Sequence, residues 1–529
     1  MDAATPDTGT ALLPSPVDRD RTPVRVWAGF GVMCLGMFLA ILDIQIVATS
    51  MPTIQQALRI PRDQMSWIQT AYLIAEVIAI PLTGFLTRML SMRWLFVIAI
   101  ATFSVASLGC ALSNGFAPLI AWRVLQGFAG GSLIPAVFSA VFLLFPERRQ
   151  GIATTIAGVL AVLAPTAGPV VGGWITQTYS WRWLFLINVG PGLVCALAAG
   201  LLLFAEALDL KNARRLDALS LGLLATGLAA LEIALKEAPG RGWLSAVVIA
   251  LFVTSLASIA YFVRRTLKTR YPIVRLETFA DRNFAIGCLL SFVLGVGLFG
   301  SVYLMPVFLA FIRGHGAFEI GKIMLVTGVA QLATAPVAVA LERRIDARLL
   351  SGGGFVLFAI GLGLSARQTP DTDFVQMIVP QIIRGVAIMF CILPPTRLAL
   401  GHLDASRVPD ASGLFNLMRN LGGAIGLALI DTVIYGRAPV LARQIAARLQ
   451  AGDIPTANAL GIPLNLFLGR APGPVDPQTT AIVAPMIQHL ALVRAINEAW
   501  AVVAAITLAA VLTVPFARRD RNAGFGAEG

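Results

Sequence analysis

Ionisable side chains inside long apolar segments are the first candidates for chemistry in this sequence. Asp43, Glu76 and Arg123 each lie within a run of hydrophobic residues. A charge at the depth of a bilayer is costly and usually has a function. A carboxyl group whose burial and cationic neighbour change with conformation can bind a proton on one side and release it on the other. We therefore predict that Asp43 and Glu76 carry protons, with Arg123 as the counter-ion.

Each of these predictions has a structural alternative. Asp43 and Arg123 would also be explained by a permanent ion pair, and Glu76 by solvation in a polar cavity without titration. Glu232 and Asp431 lie in later apolar segments, near their ends, where contact with water explains them equally well.

The composition indicates a membrane protein of many spans. The chain of 529 residues is 57% hydrophobic and 13% charged, with a mean hydropathy of +0.80, whereas soluble proteins are about 25% charged. The net charge of +12 is better explained by basic cytoplasmic loops than by nucleic acid. The five cysteines are widely spaced in apolar segments, so we expect no disulfide framework, and no motif indicates a metal or a cofactor.

A membrane helix needs about 20 apolar residues, and fourteen segments meet this requirement. They lie near 26–49, 65–87, 94–113, 117–144, 150–175, 183–205, 217–236, 243–263, 284–311, 319–341, 349–366, 374–398, 409–434 and 496–516. We refer to these predicted segments as spans 1 to 14.

Lys and Arg concentrate in alternate loops, which predicts that both termini are cytoplasmic. The predicted organisation is a cytoplasmic tail at 1–25, a six-helix half at 26–206, two inserted helices at 207–265, a second six-helix half at 266–516 and a tail at 517–529. The polar, Pro-rich stretch 436–494 is predicted to be a long extracytoplasmic loop.

Internal similarity supports two related halves. "RVLQG" in span 4 resembles "QIIRG" in span 12, and "TAGPVVGG" in span 5 resembles "NLGGAIGL" in span 13, at nearly the same separation. Parallel repeats of two six-helix halves form the major facilitator fold, whose substrate site lies between the halves. We therefore predict an all-α polytopic protein with this fold, expanded to fourteen transmembrane helices.

Three motifs resemble one branch of that superfamily. "LDIQIVATSMPTI" in span 1, "WRVLQGFAGGSLIP" in span 4 and "VLAVLAPTAGPVVGGWI" in span 5 are similar to the fourteen-helix drug:proton antiporters of the EmrB/QacA type. "RNFAIGC" and "SGLFNLMRNLGGAIG" extend the similarity from about 26 to 516. The resemblance supports Asp43 and Arg123 by motif position, but it does not cover Glu76.

The span 5 pattern matches the Gly-Pro-x-x-Gly-Gly of the family's antiporters, at Gly168, Pro169, Gly172 and Gly173. Small residues one turn apart let another helix approach closely. Pro169 lacks the N–H that would bond the carbonyl of Pro165, so the helix is expected to bend there. We predict a gate at this helix; ordinary small-residue packing is the alternative.

The loop between spans 2 and 3 departs from the superfamily pattern. The family reads Gly-x-x-x-Asp-x-x-Gly-Arg-Lys/Arg, whereas "GFLTRMLSMR" keeps Gly84 and Arg93 but has Arg88 in place of the acid and Ser91 in place of the second glycine. The family's acid-based latch is therefore not predicted here. Arg88 and Arg93 are instead expected to bind helix ends or lipid phosphates.

The resemblance implies export of lipophilic or amphipathic toxic compounds in exchange for protons, at the bacterial cytoplasmic membrane. Asp43, Glu76, Gln126 and Arg384 are the residues predicted to line the substrate cavity. The partners implied are the small substrates, protons, membrane lipids and, in a host with two membranes, a periplasmic adaptor with an outer-membrane channel.

Three other functions compete with this interpretation of the sequence. The first is a dedicated exporter of a metabolite such as a lipid, a fatty acid or a siderophore. The second is an integral membrane enzyme, which is disfavoured because HExxH, GxSxG and P-loop patterns are missing from the sequence. The third is a non-transporting receptor or scaffold, which the intramembrane charges disfavour.

Overall fold

A computed structural model gives the architecture. It describes residues 23–60, 67–204, 217–269, 272–342, 344–404, 406–462 and 477–518. All regular secondary structure in these ranges is helical. Most of the predicted N-terminal and C-terminal tails lies outside the described residues.

Fourteen α-helices follow one another in the described part of the chain. They are α1 (Val24–Leu58), α2 (Trp67–Leu112), α3 (Phe116–Leu144), α4 (Glu147–Thr178), α5 (Trp183–Leu202), α6 (Ala218–Arg241), α7 (Ala246–Thr266), α8 (Arg282–Phe311), α9 (Ala317–Glu342), α10 (Ala347–Leu364), α11 (Phe374–Leu400), α12 (Val408–Gln450), α13 (Ile454–Ala459) and α14 (Pro477–Ala510). Short 3-10 turns occupy Leu276–Ala280, Ser365–Arg367 and Val511–Phe516.

Helix α2 is two antiparallel limbs rather than one rod. Its 46 residues would extend about 70 Å if straight, yet Ile68 and Ser107, near its opposite ends, contact neighbouring residues of α3. The chain reverses at Ser91, whose φ of 66° and ψ of 163° belong to a region that is favourable essentially for glycine alone. The serine that replaces the family's glycine therefore sits in a strained turn between spans 2 and 3.

The helices are long and apolar enough for a multi-pass membrane protein. Among the described residues, twelve helices meet that criterion, or thirteen when the bent α4 is counted. Counting both limbs of α2 would bring the total to fourteen. The number of crossings and the side of the termini stay predictions.

The core is divided between two halves. One set of buried side chains joins α1 to α5, and another joins α8 to α12 with α14. A third cluster contains residues of both halves and of the inserted helices, with Ile80 on α2, Leu228 on α6, Phe262 on α7 and Leu414 on α12. The inserted pair therefore packs where the halves meet.

The stretch 436–494, predicted to be a long extracytoplasmic loop, is mostly helical in its described residues. Helix α12 continues to Gln450, α13 covers Ile454–Ala459 and α14 begins at Pro477. Apolar residues at helical spacing in this stretch form a small core of their own, with Leu441, Ile445 and Leu490. Polar composition hid this periodicity, because only one face of each helix is apolar.

Candidate functional site

A buried ion pair joins α1 to α3 in the N-terminal half. Nη1 of Arg123 lies 2.6 Å from Oδ2 of Asp43, and both side chains are 0% exposed. Gln126 joins them, since its Oε1 accepts a hydrogen bond from Arg123 at 2.7 Å and its Nε2 donates to Oδ1 of Asp43 at 3.0 Å. The structure thus brings together three of the predicted site residues.

Residues that the sequence interpretation missed complete this cluster. Asn188 of α5 donates to Oδ1 of Asp43 at 2.7 Å, and the Oγ of Ser107 on the second limb of α2 accepts from Gln126 at 2.8 Å. The Arg123 guanidinium also lies over the Tyr72 ring, 4.3 Å from its centroid. Each missed side chain is uncharged and lies in an apolar segment, so no sequence signal distinguished it.

Glycines set the distance between α3 and α2. A Cβ at Gly127 would lie 2.2 Å from the carbonyl oxygen of Tyr72, and one at Gly131 would lie 2.6 Å from that of Glu76. Only glycine permits such backbone contact. The glycines of "RVLQGFAGG" therefore bring Arg123 within 3.0 Å of the carbonyl oxygen of Ile68.

Charge and hydrogen bonds hold Asp43 and Arg123 together. Asp43 receives three hydrogen bonds, one each from Arg123, Gln126 and Asn188. Nη2 of Arg123 has no partner among the described residues. Protonation of Asp43 would leave the guanidinium of Arg123 without its counter-charge.

A cavity of about 350 Å³ lies between the two halves. Its charged lining consists of three carboxylates and two cations: Glu76, Glu232, Asp431, Lys236 and Arg419. The remaining lining is mostly apolar, as in sites that take lipophilic ligands.

The cavity wall includes an inserted helix. Glu232 and Lys236 come from α6, and Lys236 lies over the ring of Trp67 at 4.3 Å from its centroid. Asp431 of α12 accepts a hydrogen bond of 2.7 Å from the hydroxyl of Tyr303. Near the ends of their spans, Glu232 and Asp431 thus face a shared cavity.

The four residues predicted for the substrate cavity are not together. Glu76 lines the cavity between the halves, whereas Asp43 and Gln126 belong to the closed cluster behind it, and Arg384 lies beside a different cavity in the C-terminal half. Arg384 lies elsewhere because α11 faces α8 and α14 at that depth.

Helix α4 bends by 42° between Pro165 and Ala167, one turn before Pro169, which lacks the N–H for the carbonyl of Pro165. Pro165 lines the cavity, and Gly172 and Gly173 are buried. Further along, α4 touches the other half, since a Cβ at Gly321 of α9 would lie 2.7 Å from the backbone nitrogen of Val170. The bent helix therefore contacts both the cavity and the opposite half.

Gly168 offers a direct test of this packing. A Cβ there would lie 2.3 Å from the Cβ of Gln45, so Gly168→Ala must move α1 away from α4. We expect at least a tenfold loss of transport, measured in proteoliposomes, with the protein still folded. The matched control is Gly31→Ala on α1, where a Cβ meets nothing within 4 Å. Equal transport by both variants would contradict a role for this contact.

The residues of the departing loop motif meet the other half. Arg88 forms an ion pair with Asp410, whose side chain is 0% exposed, at the start of α12, and Arg275 lies 3.5 Å from the same carboxylate. Gly84 is required here, because a Cβ would come 2.8 Å from the Cα of Asp410. Arg88 thus binds a carboxylate in the first turn of α12. Arg93 stays on its own limb, over the ring of Trp94.

The family model for the Major Facilitator Superfamily matches residues 33–427. The chain belongs to this superfamily. Its fold, its multi-pass nature and its location in the bacterial cytoplasmic membrane are those of a superfamily transporter.

Curated relatives confirm the branch that the motifs indicated. The transporter is 38% identical over 418 residues to the colistin resistance protein EmrB of Acinetobacter baumannii, covering 78% of this chain and 81% of the relative. It is 30% identical to the multidrug export protein EmrB of Escherichia coli K12, covering 94% and 96%. It is also 30% identical to the fatty acid resistance protein FarB of Neisseria gonorrhoeae, covering 75% and 79%.

Solved structures confirm the fold. The proton:xylose symporter XylE matches with a TM-score of 0.58 at 14% identity, covering 94% of this chain and 97% of that one. The human organic anion transporter MFSD10 matches with a TM-score of 0.56 at 13% identity, covering 92% and 99%. At these identities the likeness concerns the major facilitator architecture alone.

Proposed function

We propose that this transporter exports lipophilic and amphipathic compounds in exchange for protons, with Asp43 and Glu76 as the proton carriers. The observation that carries the proposal is the buried Asp43–Arg123 pair, packed through Tyr72 and Gly127 against the helix that presents Glu76 to the cavity. A proton on either carboxylate changes the charge next to the substrate path without any cofactor.

The alternation of access follows from the contacts between the halves. Arg88 and Asp410 close α2 on α12 at the end that carries the basic loops, and Ser412 donates to the carbonyl oxygen of Pro135 at 3.0 Å nearby. Glu76 and Asp431 lie on the same two helices, where these separate to form the cavity. We assign the closed end to the cytoplasm, with fourteen crossings and both termini inside.

The energy available is sufficient for export. One charge crossing ~150 mV releases roughly 3.5 kcal/mol. That energy sustains a concentration ratio of about 400 for a neutral substrate exchanged for one proton. Two carboxylates, Asp43 and Glu76, offer two proton sites.

The relatives guide the substrate range. Their names concern colistin, several drugs and fatty acids, and the lining combines apolar surface with charges of both signs. Such a cavity suits amphipathic molecules with one polar end. A dedicated exporter of one lipophilic metabolite is the second candidate, favoured by the FarB relative and distinguished by a narrow substrate profile.

The helical extension of α12, α13 and α14 is our proposed docking surface for a periplasmic adaptor, which would lead to an outer-membrane channel. Its small core of Leu441, Ile445 and Leu490 gives it a fixed shape, as a docking surface needs.

Deletion of 451–476 is expected to leave proton exchange in liposomes intact and to abolish co-purification with an adaptor.

Glu76 provides the test of the proposal. In liposomes holding a pH-sensitive dye, wild type is expected to move protons when lipophilic cations or neutral compounds are added, and Glu76→Gln to lose at least nine-tenths of that movement. Gln preserves shape and removes titration. The matched control is Gln69→Glu, which adds a carboxylate to the same limb of α2 and the same cavity and should retain exchange. If no compound drives protons through folded wild type, the antiport proposal fails.

A further inference from the structure

A second cavity, of about 220 Å³, lies inside the C-terminal half. The end of α10 and the start of α11 form its mouth, and Met305 of α8 with Trp500 of α14 form its wall. It shares no lining residue with the cavity that contains Glu76. Its function is therefore a separate question from proton antiport.

Arg384 lines this cavity, and its positive charge has no counter-charge among the described residues. It is 3% exposed, its guanidinium lies over the Trp500 ring at 4.9 Å, and Nη2 is 3.5 Å from the sulfur of Met305. Its Nε has no hydrogen-bond partner among the described residues. Within the same ranges no carboxylate comes within ion-pair distance of it.

Arg123 of the N-terminal half is buried as well, but its charge is balanced by Asp43. A guanidinium taken out of water without a counter-charge loses hydration that nothing replaces. The repeat aligns Arg384 with Gln126, so the C-terminal half carries a cation where the N-terminal half carries an amide.

The rest of the lining favours an anion. Nε1 of Trp500 is a second buried donor with no partner in the described part of the chain. Arg367 adds a second cation at the mouth, and the twelve lining residues include no Asp or Glu. Apolar surface from Met305, Leu364 and Met377 suits the hydrocarbon part of a ligand.

The acid nearest in sequence is already engaged. Asp373 precedes α11, about three turns from Arg384, and its carboxylate contacts Arg313 and His315 at 3.0 Å each. Partial burial opposes its ionisation, but hydrogen bonds from His315, the Phe374 amide and Arg313 outweigh this and lower the pKa of Asp373 to about 2. It stays ionised and bound to those partners.

We propose that this cavity binds a small amphipathic oxyanion, a carboxylate or phosphate group on an apolar body, with Arg384 and the Trp500 indole as its donors. Guanidinium binds both groups through paired N–H donors. The ligand is either a free organic anion or the headgroup of an anionic lipid.

The test is thermal unfolding of the purified full-length protein in detergent. Benzoate, hexanoate and inorganic phosphate are titrated against gluconate at constant ionic strength. A ligand that binds only the folded state raises the melting temperature saturably. We expect such a rise for wild type and for Arg437→Gln, which removes an exposed charge outside the cavity, and none for Arg384→Gln.

Two further arms complete the test. Arg384→Met removes the uncompensated cation, so it should melt no lower than wild type in gluconate; a lower melting temperature would show a structural cation and overturn the proposal. In nanodiscs, competition by phosphatidylglycerol against benzoate assigns the site to lipid, and its absence assigns it to a free anion. Parallel responses of wild type and Arg384→Gln to every probe, or no response of wild type, refute the site.

Discussion

Asp43→Asn is expected to reduce substrate-driven proton movement at least 100-fold and to lower the melting temperature. The amide cannot take up a proton. It also leaves the guanidinium of Arg123 without a counter-charge in a site where both side chains are fully buried. Removing one partner of a buried pair costs about 3–5 kcal/mol. Dye-loaded proteoliposomes measure the exchange, and thermal unfolding in detergent measures the stability.

A double variant separates proton transport from structure. Asp43→Asn with Arg123→Gln removes both charges, so stability should largely recover while exchange stays lost. Recovery of exchange in the double variant would show that the pair is a permanent structural contact, the alternative left open by the sequence. Ser107→Ala is the control, because it removes a hydrogen bond of the same cluster and touches neither charge.

Arg88→Gln is expected to open the α2–α12 contact. The Asp410 carboxylate is 0% exposed and, among the described residues, would keep Arg275 as its one cation, at 3.5 Å. Because the Arg88 side chain is 25% exposed, we expect less than the full cost of breaking a buried pair, about 2 kcal/mol. That shifts the balance between the two access states about 30-fold.

Spin labels near the Ser91 turn of α2 and at the start of α12 measure this shift as a longer distance. The labels are introduced in a protein whose five cysteines have been replaced. Arg88→Lys keeps the charge and should keep the short distance. Arg275→Gln removes the more distant and more exposed cation and should have a smaller effect. An unchanged distance distribution in Arg88→Gln would show that this pair does not hold the halves together.

Much of this molecule follows from local rules in the sequence. Each of the fourteen predicted spans overlaps a described helix, because apolar length and the need to satisfy backbone groups inside a membrane leave few alternatives. The motifs of spans 1, 4 and 5 also identified the superfamily and its branch. The helices within 436–494 were not predicted, since an amphipathic helix has no long apolar run.

Long-range contacts were beyond the sequence, because the partner of a polar residue is set by how helices distant in the chain pack together. The charges at Asp43 and Arg123 were visible as costly residues in apolar runs, and their opposite charges predicted that they pair. The tertiary structure alone decided that Asn188 joins them, that Asp410 binds the arginine that replaced the family's acid, that Glu232 of an inserted helix faces the same cavity as Glu76, and that Arg384 lies in a cavity of its own. The sequence determined which charges are buried, through the cost of placing them in apolar segments; the packing of glycine faces and the meeting of the two halves determined what each charge contacts.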